Sequence, residues 1–251
     1  MKKLCFIAIL TLIGCQTTQV VNFKTTTLNT SGPIAVDVSS FGGNVTVIAD
    51  PTVLQTTVSA KQLELGLGEV PMPDLHMECS TYIEPTPWGE IIHVDATTND
   101  NPLGTITADI TVRANSIHGV TVETKNGDVT LLGITGELNI QTSDGDVRIV
   151  TPRVMNEDVL IENIRGDIVY RVRAESSGTI DATAMNGEAS LDLRYGEATI
   201  LPGSTGDHLV ANFNNGVNSL VMRTVDGNIR IFVVADPVGS EPWISTEWLT
   251  W

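Results

Sequence analysis

From Gly32 onward, apolar and polar residues alternate with period two, and no stretch carries a helical 3.6-residue pattern. Ile34, Val36 and Val38 alternate, as do Val45 and Val47, and as do Ile106, Ala108, Ile110 and Val112. Such alternation predicts half-buried strands. Pro71, Pro73, Pro85 and Pro87 interrupt the stretch between about Gly66 and Gly89, which therefore reads as loop.

The second half repeats a unit of glycine, any residue, apolar, any residue, apolar. Examples are Gly127-Asp-Val129-Thr-Leu131, Gly145-Asp-Val147-Arg-Ile149, Gly166-Asp-Ile168-Val-Tyr170 and Gly227-Asn-Ile229-Arg-Ile231; Gly136, Gly178, Gly187 and Gly196 open similar units. Two units span about 18 to 21 residues, which is the length of one coil in a repeat protein. With short strands, Gly turns and no helix between them, the pattern predicts an all-β fold. The expected form is a single-stranded parallel β-helix or β-roll-like solenoid of five or six coils, stacked at about 4.8 Å. Asn126-Gly127, Asp144-Gly145, Asn186-Gly187 and Asp226-Gly227 suit corners that need positive φ. They are equally good hairpin turns, so an antiparallel β-sandwich is the alternative.

The series VTVETKNGDVTLLGITGELNIQTSDGDVRIV, with the earlier FGGNVTVIAD and ITADITVRA strands, resembles the putative-adhesin domains of unknown function in bacterial envelope and surface proteins. The resemblance covers about Gly32 to Val234. It implies a β-roll or single-stranded β-helix with no established catalytic residues. Pro152–Asp158 and Leu201–His208 lengthen two turns relative to that pattern, and Ala189 and Ala198 thin the expected core.

The first residues have a different character. Lys2 and Lys3 precede a ten-residue, mostly apolar run from Leu4 to Ile13, too short to span a bilayer and suited to an export signal. The run closes on Leu12-Ile13-Gly14-Cys15, which resembles the lipobox of bacterial lipoproteins. That resemblance implies cleavage before Cys15 and acylation of Cys15, and several acyl chains exceed what stable anchoring needs. Gln16, not aspartate, follows the cysteine and implies an outer-membrane address. Four segments are expected: a signal peptide over 1–14, a lipid-anchored flexible tether rich in Thr, Gln and Asn over 15–31, a β-solenoid over 32–236, and a Trp-rich C-terminal cap or tail over 237–251. In that last segment Trp243, Trp248 and Trp251 are expected to cover the final coil.

Charge narrows the partners. Fourteen Lys and Arg stand against 30 Asp and Glu, a net charge of −16 that removal of the signal deepens. Such a surface repels nucleic acid, so the expected partners are the membrane, through the anchor, and an envelope protein or glycan. Once Cys5 leaves with the signal and Cys15 is acylated, Cys79 is alone and reads as a small buried hydrophobe.

Candidate chemistry is thin. Asp128, Asp144, Asp146, Asp167 and Asp226 recur at turns and suggest a stacked ladder, but the Gly-Gly-x-Gly-x-Asp pattern of calcium rolls is missing, so no metal and no cofactor are expected. Arg165-Gly166-Asp167 matches a cell-attachment tripeptide, yet it falls on the recurring Gly-Asp turn. His76, His93, His118 and His208 are scattered without a metal-binding spacing, and no nucleophile elbow or phosphate loop occurs. Arg171 and Arg173 alternate on one strand, but the repeat carries too few cations for a polysaccharide lyase. The expected function is a non-catalytic envelope structural or binding module. A carbohydrate-active β-helix enzyme acting on cell-wall or capsular glycan, and a self-assembling envelope scaffold, are the alternatives.

Overall fold

The structure, a computed structural model, describes residues 17–66, 77–99 and 106–239. These residues form two sheets facing each other across one core, one of nine strands and one of ten. Each coil of the solenoid contributes one strand to the ten-stranded sheet and the next to the nine-stranded sheet. In chain order the coils are β2 (Ile34–Ser40) with β3 (Val45–Ala49), β6 (Gly89–Thr98) with β7 (Ile106–Ala114), β8 (Ile117–Asn126) with β9 (Val129–Leu132), β10 (Thr135–Asp144) with β11 (Val147–Val150), β12 (Val159–Glu162) with β13 (Ile168–Arg173), β14 (Gly178–Ala184) with β15 (Ala189–Leu193), and β18 (Ser219–Thr224) with β19 (Ile229–Val234).

Neighbouring coils pair in parallel, as in the register Val45, Val129, Val147, Ile168, Ile229 across the nine-stranded sheet. This parallel pairing establishes the solenoid and excludes the antiparallel sandwich. Alternation places one side chain in two inside, so Val36, Val38, Val47, Leu131, Ile140, Ile149, Ile161 and Ile231 are fully buried. Burying each such side chain contributes about 1.5–3 kcal/mol.

The stacking order differs from the chain order. In space the coils run β6/β7, β2/β3, β8/β9, β10/β11, β12/β13, β18/β19, β14/β15. The first coil is thus inserted behind the second, and the last is inserted ahead of the one before it. Antiparallel strands extend both ends: β4 (Thr56–Gly66) pairs with β7 and β5 (Met77–Thr86) with β6 at one end, and β17 (His208–Phe213) pairs with β14 at the other. β1 (Thr17–Leu28) is added on β4 and β16 (Ala198–Ile200) on β17, so the nine-stranded sheet ends on β1 and β15 and the ten-stranded sheet on β16 and β5.

Four expectations are corrected here. Thr17–Leu28 is a strand with eleven residue pairs to β4, not a flexible tether, because its Thr, Val and Phe residues suit an edge strand. The Pro-interrupted stretch is not all loop: Met77–Thr86 forms β5, where edge position tolerates Pro85 without a lost ladder bond. Ala198 does not face the core, since β16 is exposed along its length. The final coil in sequence, β18/β19, is not the end of the stack but has neighbours on both sides. Instead, residues 235–239 cross the outer side of the nine-stranded sheet, where the Pro237 carbonyl accepts a 2.7 Å hydrogen bond from Arg171 Nε and Val238 lies beside Leu132 and Val150. The three C-terminal tryptophans lie outside the described residues.

Candidate functional site

The turn acids do form a ladder, and its chemistry is internal. At the corner between the two sheets, the side chain of each coil accepts a hydrogen bond from a backbone N–H of the coil stacked on it. Asn44 N–H donates to Asp109 Oδ1 at 2.9 Å, Asp128 N–H to Asn44 Oδ1 at 2.9 Å, Asp146 N–H to Asp128 Oδ1 at 2.8 Å, and Asp167 N–H to Asp146 Oδ1 at 2.9 Å. Asn228 N–H then donates to Asp167 Oδ1 at 2.8 Å and Glu188 N–H to Asn228 Oδ1 at 3.1 Å. The series follows the spatial order of all seven coils. A second row holds Arg165 against Asp144, with Asn186 Nδ2 donating to Asp226 Oδ1 at 2.8 Å. The Arg165 guanidinium hydrogen-bonds Asp144 and holds its carboxyl below the usual range. Among the described residues no three His, Cys, Asp or Glu side chains come together as a metal site. Both charges of Arg165-Gly166-Asp167 are engaged within the ladder.

The corner glycines stack in the same way. A Cβ on Gly145 would lie 2.3 Å from the Gly127 carbonyl oxygen, one on Gly166 2.1 Å from that of Gly145, and one on Gly187 1.9 Å from that of Gly227. Gly145 and Gly166 also have φ of +120° and +127°, whereas Gly187 is outside the left-handed region. Close approach of neighbouring coils, more than turn geometry, demands glycine here.

The outer side of the ten-stranded sheet is built differently. Near the ends of β2, β8, β10 and β12 runs a groove of about 560 Å³, lined among others by Ser39, Glu123, Lys125, Gln141, Ser143 and Glu162. None of these six side chains hydrogen-bonds another described residue, in contrast to the saturated corner. Beneath them lies a buried polar row, in which the Thr124 and Thr142 hydroxyls donate to corner carbonyls of their own turns.

The remaining sequence candidates are dispersed. His93 joins three strands: Nδ1 is 3.1 Å from Asp37 Oδ2, Nε2 is 3.0 Å from Glu84 Oε2, and the ring stacks on Tyr82 at 4.6 Å. His118 meets the Thr135 hydroxyl and His208 meets Asp181. Arg171 is buried with its guanidinium 5.6 Å over the Phe232 ring, while Arg173 pairs with Glu175, so the two do not form one site. Cys79 is half-buried against the core, and burial pushes its thiol pKa up. Cys15 and His76 lie outside the described residues. The groove went unread in the sequence because its members are ordinary polar residues that only the coil register aligns; the shared position before the buried Thr in ETK, QTS and the corresponding Glu162 was the available signal.

Residues 34–232 match the family described as Toastrack DUF4097. The chain belongs to this Toastrack family. A crystal structure described as a putative cell adhesion protein from Clostridium sporogenes superposes with a TM-score of 0.56 at 13% identity, covering 87% of this chain and 99% of that one. A crystal structure described as a putative adhesin from Bacteroides fragilis, 11% identical and covering 84% of this chain and 97% of that one, gives a TM-score of 0.25. The first comparison supports the Toastrack fold; the second is too distant in shape to bear on it. No curated protein matches the chain.

Proposed function

We propose that this Toastrack protein is a non-catalytic binding module of the bacterial envelope, held at the outer membrane through an acylated Cys15. The observation that carries the binding role is the division of its polar surface. Corner carboxylates are spent on backbone N–H groups and Arg165, while six polar side chains that line the groove of the ten-stranded face hydrogen-bond no other described residue. Unpaired, aligned polar groups on a rigid scaffold favour recognition over catalysis, since none of the groove's hydroxyls is hydrogen-bonded to a base among the described residues. The description of the similar Clostridium structure as a putative cell adhesion protein agrees with this reading.

The anchor rests on the signal and lipobox pattern, with β1 beginning two residues beyond Cys15. Cells grown with a labelled or alkyne-bearing palmitate are expected to label the wild type and not Cys15→Ala, with the wild type sedimenting in the outer-membrane fraction. Equal labelling of both would end the lipoprotein reading. Protease treatment of intact cells then distinguishes surface display, where adhesion operates, from a periplasmic binding role.

A further inference from the structure

Resting on the binding-module reading, we propose that the groove on the ten-stranded sheet takes an uncharged, extended, β-linked hexose polymer lying along the stacking axis. Equivalent positions on successive coils line the groove: Ser39, Glu123, Gln141 and Glu162 align in register on one side, with Lys125 and Ser143 on the other. Ala96 and Thr97 of β6 extend it to a fifth coil. Five coils at about 4.8 Å give a track of about 19 Å, and the coil spacing is close to the length of one hexose in an extended chain.

The chemistry of the lining selects the ligand. Carboxylate and amide oxygens accept from hydroxyl pairs, and the Ser hydroxyls and the Lys125 ammonium donate to ring and hydroxyl oxygens, which is the complement a sugar needs. A peptide adding to the sheet would need a free strand edge, and β2, β8, β10 and β12 are each paired on both sides. An anionic polymer meets the two carboxylates and a net charge of −16.

The wall of the groove holds an independent sign. Asn163, only 5% exposed, donates through Nδ2 to the Gly145 and Gly166 carbonyls at 2.9 and 3.2 Å, which fixes its amide, while its buried Oδ1 has no partner. Ser40, Thr124, Thr142 and Thr224 occupy the same row and direct their hydroxyls to corner carbonyls. Asn163 alone in this row leaves an acceptor open at the wall of the groove, and buried open acceptors in native proteins call for a partner.

The test is calorimetric titration of full-length protein in detergent with chitohexaose, cellohexaose and their dimers, against alginate and hyaluronan fragments. Saturable binding of at least one hexamer is expected, at least tenfold tighter than its dimer, with no binding of the anionic fragments. Glu123→Ala combined with Gln141→Ala is expected to weaken binding tenfold or more without moving the melting temperature, because both side chains are exposed and unpaired. Failure of both hexamers to bind, preference for the anionic fragments, or indifference to the double substitution overturns the proposal. If cells still require the protein for attachment while neither hexamer binds, the glycan inference falls and the binding-module reading stands.

Discussion

At the residue scale, the corner glycines separate two reasons for being glycine. Gly145 has both a left-handed φ and a neighbouring carbonyl where its Cβ would lie; Gly187 has only the carbonyl; Gly206 has neither, with open space around it. Gly145→Ala is therefore expected to cost about 3 kcal/mol or more, Gly187→Ala about 2 kcal/mol or more, and Gly206→Ala less than about 0.5 kcal/mol in urea unfolding. A Gly187→Ala protein as stable as Gly206→Ala would mean the coils can part without loss. The sequence made these positions visible as turn dipeptides, because Asn-Gly and Asp-Gly advertise positive φ. It concealed the carbonyl above each one, since that contact depends on which coil stacks on which.

At the element scale, the ladder converts a row of like charges into a row of acceptors. Asp128, Asp146 and Asp167 each take a backbone N–H from the next coil, and Asn44 and Asn228 do the same with a neutral oxygen. Geometry, not charge, is what the position requires. Asp146→Ala leaves the Asp167 N–H without its acceptor and removes the hydrogen bond from Arg148 to Asp146, and is expected to lower stability by about 1–2 kcal/mol. Asp146→Asn retains Oδ1 and is expected to recover most of that loss; thermal melts of the two variants compare them, and equal losses would show that the charge matters instead. The repeat predicted these strands well, because the inward Val and Ile at period two leave one register that buries them. It failed at β1, a Thr-rich edge strand, at β5, where Met77, Cys79 and Ile83 do alternate toward the core but the surrounding prolines read as loop, and at β16, where a repeat-like GEATI forms an exposed edge strand.

At the scale of the whole molecule, the departure from chain order sets cooperativity. An ordinary solenoid shortened at its C-terminus loses one terminal coil and keeps the rest. Here β18 and β19 lie between β12/β13 and β14/β15, so a chain ending at residue 217 leaves a gap inside the stack, with unpaired parallel edges on β12, β13, β14 and β15 facing it. Such a chain is expected to lose its cooperative melting transition and to aggregate; a soluble protein melting within a few degrees of the wild type would show that β14 can pair directly with β12. Alternation along the chain cannot encode this order, because inserted and consecutive coils bury the same faces. The other end of the stack has a mechanical consequence. β1 is joined to the rest of the body by a ladder that runs the length of the strand, and Thr17, its first residue, is the end nearest the attachment proposed at Cys15. A pull along the strand from that end, against a ligand gripped on the broad face, loads the β1–β4 hydrogen bonds together in shear and cannot peel them one at a time. The strand that replaces the expected slack tether is thus built to carry tension.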